Sequence, residues 1–456
     1  MTTRERSFEE LYRDDPERAD ALLHGRKTGA SRRGFLGGAG VAAVGAMVGA
    51  AIPFSKNMPA GFVPAAFAQQ PNPNAQTTTP PPATPEKKGP QLLNFPGKDG
   101  KLVVLGERPL VAETPEALLD DDTTPTSKFF IRNNGNPPQN TGDPDAWKLT
   151  IDGEVNKPLE ITVGELKKKY KPQTLRMVLE CGGNGRSFFS PPASGNQWTN
   201  GGVGCAEWTG VSLAEVLKTA GVKPSGIYTA NYGADAHLSG DPARHTLSRG
   251  VRIAKAMEPQ TLLVWAMNGK PLEAVHGAPL RLITPGWAGS VSHKWLNKIT
   301  IRDKEHDGQG MVGTNYRLAI NPMVPGSKAD PKNFRILESM PVRSIITSPA
   351  NGTKLAAGTR EIKLRGASWA GDLTVKQVEV SADFGQTWTK ATLANPKNKF
   401  DWQRWTATVK VPSDGYYEIW SKATDSNGKA QPHVAAGWNP QGYGSNPFHR
   451  IAVLIG

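Results

Sequence analysis

From about Met340 to its end the chain alternates apolar and polar residues with a period of two, and no other feature limits its fold so tightly. Ile362 with Leu364, Val378 with Val380, Ala407 with Val409 and Val411, and Ile451 with Val453 and Ile455 put apolar side chains on one face of successive strands. Asn351-Gly352, Asp383-Phe384-Gly385 and Asp414-Gly415 supply the turns between them. The pattern predicts an immunoglobulin-like β-sandwich over residues 336–456. This stretch has no cysteine, so its core must be held by packing rather than by the inter-sheet disulfide of antibody domains. A module of this kind has a structural or dimerising role by default.

Residues 95–335 mix helix and strand signals, which makes the whole an α+β chain of two domains. Thr162-x-x-Glu165 and Ser212-x-x-Glu215 have capping-box spacing, each ahead of a short amphipathic segment, the second closed by Gly221. Between these helix starts, and again from Pro271 to Ile301, lie glycine- and proline-rich loops with apolar strands such as Leu280 to Ile283. Long irregular connections of that sort are more often functional than decorative.

The front of the chain is a targeting segment. Ser31-Arg32-Arg33-Gly34-Phe35-Leu36 is a twin-arginine motif, followed by a glycine- and alanine-rich apolar stretch to Pro53 and a small-x-small cleavage signature, Ala66-Phe67-Ala68. Residues 1–68 are therefore read as a twin-arginine signal peptide, and 69–94, rich in Pro and Thr, as a flexible tether. This route exports a protein already folded, so the expected location is the periplasm. The formal charge is +13; the first 68 residues carry nine basic and seven acidic groups, leaving about +11. Such a balance favours anionic partners. Zinc spacing, a basic helix and an aromatic RNA-binding pattern are all missing, so nucleic acid is set aside; a small oxyanion, a phosphorylated cofactor or an acidic redox partner fits better.

Only two cysteines occur, Cys181 and Cys205. An exported protein commonly pairs its cysteines, and one bridge between them is the plain reading. Against it, Cys181 sits where the apolar run Val178-Leu179 gives way to Gly182-Gly183-Asn184-Gly185, a strand-to-loop junction that lets backbone approach a bulky group. That setting suits a metal thiolate ligand. Both readings stand on the residues alone.

Ordered segments across both domains resemble the sulfite oxidase family of molybdenum enzymes. They are Phe129-Phe130-Ile131-Arg132-Asn133-Asn134, the Cys181 loop through Trp198, Gly204 to Val211, Tyr232-Gly233-Ala234-Asp235, Met267 through Arg281, His293-Lys294-Trp295-Leu296, and in the sandwich Val380-Ser381, Trp388, Trp438-Asn439 and His449-Arg450. Within the family they look most like the sulfane dehydrogenase subunits of periplasmic thiosulfate-oxidising systems.

The resemblance implies a molybdopterin-binding catalytic domain over 95–335 followed by a dimerising β-sandwich, with molybdenum held by Cys181 and by a pyranopterin cofactor. A soft thiolate suits such a metal, and Cys205 is left to pack as a small buried hydrophobe. Carried over by position, the oxyanion pocket holds Arg132, Arg186, Trp198, Tyr316 and, reaching in from the sandwich, Arg450; Asn134, Asp235, His276, Arg281 and Lys294 serve the cofactor. Arginine forks hold sulfur oxyanions by paired hydrogen bonds. Asn134 departs from the family, whose animal members have histidine there. The implied reaction is oxygen-atom transfer from molybdenum to an inorganic or carrier-bound sulfur species. No Cys-x-x-Cys-His occurs, so covalent haem is not expected and electrons are expected to pass to a separate c-type cytochrome, in a homodimer or a heterotetramer with a cytochrome subunit. A stand-alone sulfite dehydrogenase is the second reading, and a non-catalytic docking module for a sulfur-carrier protein the third.

Overall fold

The computed structural model describes residues 89–456. The segment expected to be a signal peptide, 1–68, and most of the expected tether, 69–94, lie outside the described residues. Among those described, no helix is long and apolar enough to cross a membrane.

The N-terminal domain opens with a three-stranded antiparallel sheet, Val103–Glu107, Leu110–Glu113 and Ile131–Arg132, whose last strand ends on Arg132. Two five-stranded sheets follow. In one, Lys270–Pro271, Leu262–Met267, Val203–Ser212 and Gln173–Glu180 lie side by side, antiparallel, with Arg281–Ile283 also paired to Leu262–Met267. In the other the order is Leu159–Thr162, Lys148–Gly153, Leu296–Arg302, Tyr228–Gly233, Ser248–Arg249. Its strands Lys148–Gly153 and Leu296–Arg302 run parallel. The apolar residues of these strands form a core with two short helices, Val163–Lys169 and Leu213–Ala220.

Both helices start where the sequence places them, but by different means. Thr162 and Glu165 make the full reciprocal capping box. Ser212 makes no cap, and its buried hydroxyl has no partner. Here the helix is fixed by burial of Leu213, Val216, Leu217 and Ala220 along one face. Gly221 closes it at φ +69°, accepting the left-handed turn that a Cβ would resist.

The C-terminal domain is a sandwich of two sheets: Arg343–Ser348, Glu361–Trp369, Gln403–Lys410 and Thr392–Leu393 against Thr353–Leu355, His449–Ile455, Gly415–Asp425, Val375–Ser381 and Thr389–Lys390. The alternating residues of the sequence reading, Ile362, Leu364, Val378, Val380, Val409, Val411, Ile451, Val453 and Ile455, fill the space between the sheets.

The sandwich packs on the strand that leads to Cys181. Met177 and Leu179 face the core of the N-terminal domain, while Val178 on the opposite face joins Ile345, Ala367, Trp369 and Trp402 of the sandwich. This double burial explains why Met177, Val178 and Leu179 are apolar in succession rather than in alternation. Its last residue, Glu180, is 2% exposed and faces Arg343 of the sandwich, 1% exposed, at 2.9 Å. The remaining lone pairs of Glu180 accept from Asn184 Nδ2 at 2.9 Å and Trp369 Nε1 at 2.7 Å. Arg343 donates further to the backbone oxygens of Asn184 and Ser445 and to Asn200 Oδ1. Arg176 with Asp401 and Lys255 with Asp372 are further ion pairs across the same seam.

A buried pair this fully hydrogen-bonded adds little over an apolar contact, but removing one partner strands the other's charge. Arg343→Met is therefore expected to lower unfolding free energy by about 3–5 kcal/mol, measured by denaturant titration against the wild type. Replacement of exposed Arg360 on the same domain, paired with Asp414 at the surface, should change stability by about 1 kcal/mol or less.

Candidate active site

Cys181 is the first residue beyond the strand Gln173–Glu180 and is part-exposed. Both cysteines are free. The bridge between them that the sequence left open is thereby excluded. Cys205 is fully buried in the seam cluster, its Sγ 3.3 Å from Asp401 Oδ1, and burial pushes its thiol well up. The Cys181 backbone is held on both sides: its N–H donates to Gly202 O at 2.8 Å, and its carbonyl accepts from Asn184 N–H at 2.9 Å. A Cβ on Gly183 would lie 2.4 Å from the Arg186 guanidinium and would have to displace it.

One cavity gathers Cys181 with Arg132, Asn134, Asp235, His276, Arg281, Lys294 and Tyr316. Arg132 arrives at the end of the first small sheet, Arg281 at the start of its strand, and Lys294 just before Leu296–Arg302. Gly277, at φ +107°, packs against Lys294, where a Cβ would come within 2.8 Å of its side chain.

The electrostatics of this cavity are one-sided. Lys294 is held by Asn133 Oδ1 at 2.7 Å and Val275 O at 2.6 Å, and burial followed by the charges of Arg281 and Arg132 pushes its ammonium well below the usual lysine range. Burial brings Arg281 down to about 9, so the guanidinium still carries its charge at neutral pH. It donates to His276 O at 3.0 Å and lies over the Trp208 ring. His276 is 1% exposed, and burial, then Lys98, Lys294 and Arg281, push its imidazole far down, so it is neutral.

Lys98 was not among the residues singled out in the sequence. Its ammonium sits 2.7 Å from His276 Nε2 and 2.6 Å from Glu273. An ammonium can only donate, which fixes Nε2 of His276 as acceptor and leaves Nδ1 with the proton. Burial raises Asp235 to about 6, against the pull of Lys294. Nothing in the sequence singles out Lys98, which lies 175 residues from Glu273 and 178 from His276.

Lys98, Arg132, Arg281 and Lys294 are thus set against only Glu273 and Asp235. Lys98, Arg281 and Lys294, each pushed below its ordinary range by burial, mark a place where an anion is missing from the balance. A phosphorylated pterin would supply that anion, with a thiol at the same cavity for the metal. The donor set fits the cofactor that the family resemblance implies.

Three expected pocket residues are not in this cavity. Arg186 is buried behind it, donating from Nε to Gln441 O at 2.7 Å and from a terminal nitrogen to Asn196 O at 2.8 Å, with its guanidinium over Tyr443. Trp198 is fully buried, edge-on to Phe130, and belongs to the core under the cavity floor. Arg450 does not reach in from the sandwich. It lies over Trp420 at 4.5 Å, donates to His433 O, and lines a separate groove with Glu116, Phe188 and His449. Its strand ladder with Gly415–Asp425 turns the side chain onto the sandwich's own aromatic cluster.

Residues 134–310 match the oxidoreductase molybdopterin binding domain, and 335–455 the Mo-co oxidoreductase dimerisation domain. The chain is 32% identical to sulfite oxidase of Gallus gallus over 381 residues, 81% of each protein. It is 28% identical to sulfite oxidase of Arabidopsis thaliana, covering 82% of this chain and 99% of that one. In fold it is similar to the sulfane dehydrogenase SoxCD from Paracoccus pantotrophus, with a TM-score of 0.63, 24% identity, and coverage of 85% of this chain and 96% of that one. A molybdopterin-binding fold followed by its dimerisation domain, with a free cysteine facing a cationic cavity, makes this chain a member of the sulfite oxidase family, a molybdenum oxidoreductase.

Proposed function

We propose that this protein oxidises an anionic sulfur species, sulfane sulfur borne on a carrier protein or free sulfite, and passes the electrons to a c-type cytochrome in the periplasm. The observation that carries the reading is the cavity in which Cys181 meets a surplus of buried cations. When bound, the molybdenum cofactor supplies oxygen-atom transfer to sulfur and takes up the two electrons released.

The chain's own residues do the rest. Cys181 Sγ holds the metal from the protein side. Lys294, Arg281 and the Nδ1–H of His276 hold the cofactor's anionic end, with Lys98 fixing the histidine tautomer. Arg132, the one arginine of the expected oxyanion set that lines the cavity, binds the substrate anion beside Tyr316. Exposed Val312, Ile320 and Val324 lie on the same segment as Tyr316 and favour a substrate delivered on a protein surface. Export in folded form supports a periplasmic site of action, and the sandwich is the surface through which two copies would pair. A non-catalytic docking module has no use for a thiol and uncompensated cations in one cavity, because their burial costs stability.

Turnover of the purified protein with free sulfite and with carrier-bound sulfane sulfur, cytochrome c as acceptor, tests the reading; oxidation of neither would defeat it. Lys294→Met should leave the fold intact and reduce bound molybdenum to about a tenth or less, since a charge-assisted hydrogen bond contributes about 1.5–3 kcal/mol; metal analysis and fluorescence of released pterin read this directly. Arg132→Gln should lower kcat/KM by about 10- to 100-fold with most of the loss in KM, measured by steady-state kinetics at fixed ionic strength.

A further inference from the structure

A second buried guanidinium borders the cavity and has no counter-ion. Arg249 ends the edge strand Ser248–Arg249 and is 1% exposed. Among the described residues no carboxylate lies within ion-pair distance of it. One terminal nitrogen donates to Ser290 Oγ at 2.9 Å, the other approaches Leu337 O at 3.5 Å, and Nε has no partner. Ser290 and Tyr316 both line the cavity with Cys181. The Arg249 guanidinium stacks behind Tyr316 at 4.4 Å.

The stack continues. Tyr316 and Tyr443 lie ring on ring, 4.7 Å apart and 20° from parallel, and Arg186 caps the far side of Tyr443 at 5.3 Å. Two buried guanidiniums thus enclose two tyrosines. Tyr316 itself holds a positive φ of +48°, a backbone state rarely taken by aromatic residues, so packing fixes its position. Arg249 stands apart from the cofactor-side cations, since its bonds go to Ser290 and Leu337 and its ring contact to Tyr316. A buried charge with an orphaned donor is retained against a stability cost, and its balancing anion must come from outside the described residues.

We propose that Arg249 is a positioning and specificity-determining residue for the anionic substrate, acting through Tyr316 and Ser290 and supplying the cationic charge that Arg450 does not bring to the cavity. This rests on the reading of the cavity as a sulfur-anion site. Its guanidinium sets the ring of Tyr316 and the hydroxyl of Ser290 at the substrate end and lends that end a positive field that an anion feels at close range in a low-dielectric wall. The wall therefore favours doubly charged sulfur oxyanions over singly charged ones.

Inorganic sulfate is the probe, titrated by calorimetry into the molybdenum-loaded protein, alongside its inhibition of sulfite turnover. R249Q keeps donors for Ser290 and Leu337 O and removes the charge; R249K keeps the charge. Wild type should bind sulfate competitively with sulfite. R249Q should weaken sulfate about tenfold, raise KM more than it lowers kcat, flatten the salt dependence of kcat/KM, and retain wild-type molybdenum content. R249K should recover affinity to within about threefold of wild type. Wild-type sulfate affinity in R249Q overturns the proposal, as does loss of molybdenum from that variant or a lysine variant as weak as the glutamine one. Failure of the wild type to bind sulfate would instead overturn the sulfur-anion reading together with this inference.

Discussion

The ion pair of Glu180 with Arg343 is the contact on which the site depends. Glu180 is the residue before Cys181, and Arg343 belongs to the other domain. Because Arg343 also holds the carbonyl of Asn184, the turn that carries the cysteine is gripped on both sides by the sandwich. The C-terminal domain thus acts within the chain as well: it orders the loop from which the thiol projects. An ionic contact serves here where an apolar one would not, since directional hydrogen bonds to Asn184, Asn200 and Trp369 fix a single arrangement of the loop.

Charge shapes the cavity as much as geometry does. Lys98, Arg281, Lys294 and Arg249 are all desolvated, and among the described residues only Lys98 has a carboxylate, Glu273, within ion-pair distance. Folding tolerates this because surrounding strands and the seam bury ample apolar surface. The consequence is a protein more stable with its anions bound than without them, since ligands that bind only the folded state add their binding free energy to folding.

The sequence disclosed the parts of the structure that rest on local physics. Period-two runs located the sandwich because its strands have one wet face; Thr162 with Glu165 marked a helix start because a capping box is a four-residue event. Ser212 had the same spacing and did not cap, since its hydroxyl is buried at the end of a central strand and the helix is set by tertiary burial. Family resemblance brought Cys181, Arg132, Asn134, Asp235, His276, Arg281, Lys294 and Tyr316 to one cavity. It misplaced Arg450, whose direction is fixed by a strand register that a motif does not encode. Lys98 and Arg249 carry no local signal at all: each gains its meaning from partners brought near only by the fold, Glu273 and His276 for one, Ser290 and Tyr316 for the other.

The central claim is that the molybdenum of this protein is held from the protein side by Cys181 alone. Molybdenum K-edge X-ray absorption on the wild type and on Cys181→Ser, both loaded with cofactor, tests it directly. The account predicts that the substitution removes one sulfur scatterer from the metal's first shell and abolishes sulfur oxidation while the folded spectrum of the protein is kept. An unchanged sulfur count in Cys181→Ser would contradict it.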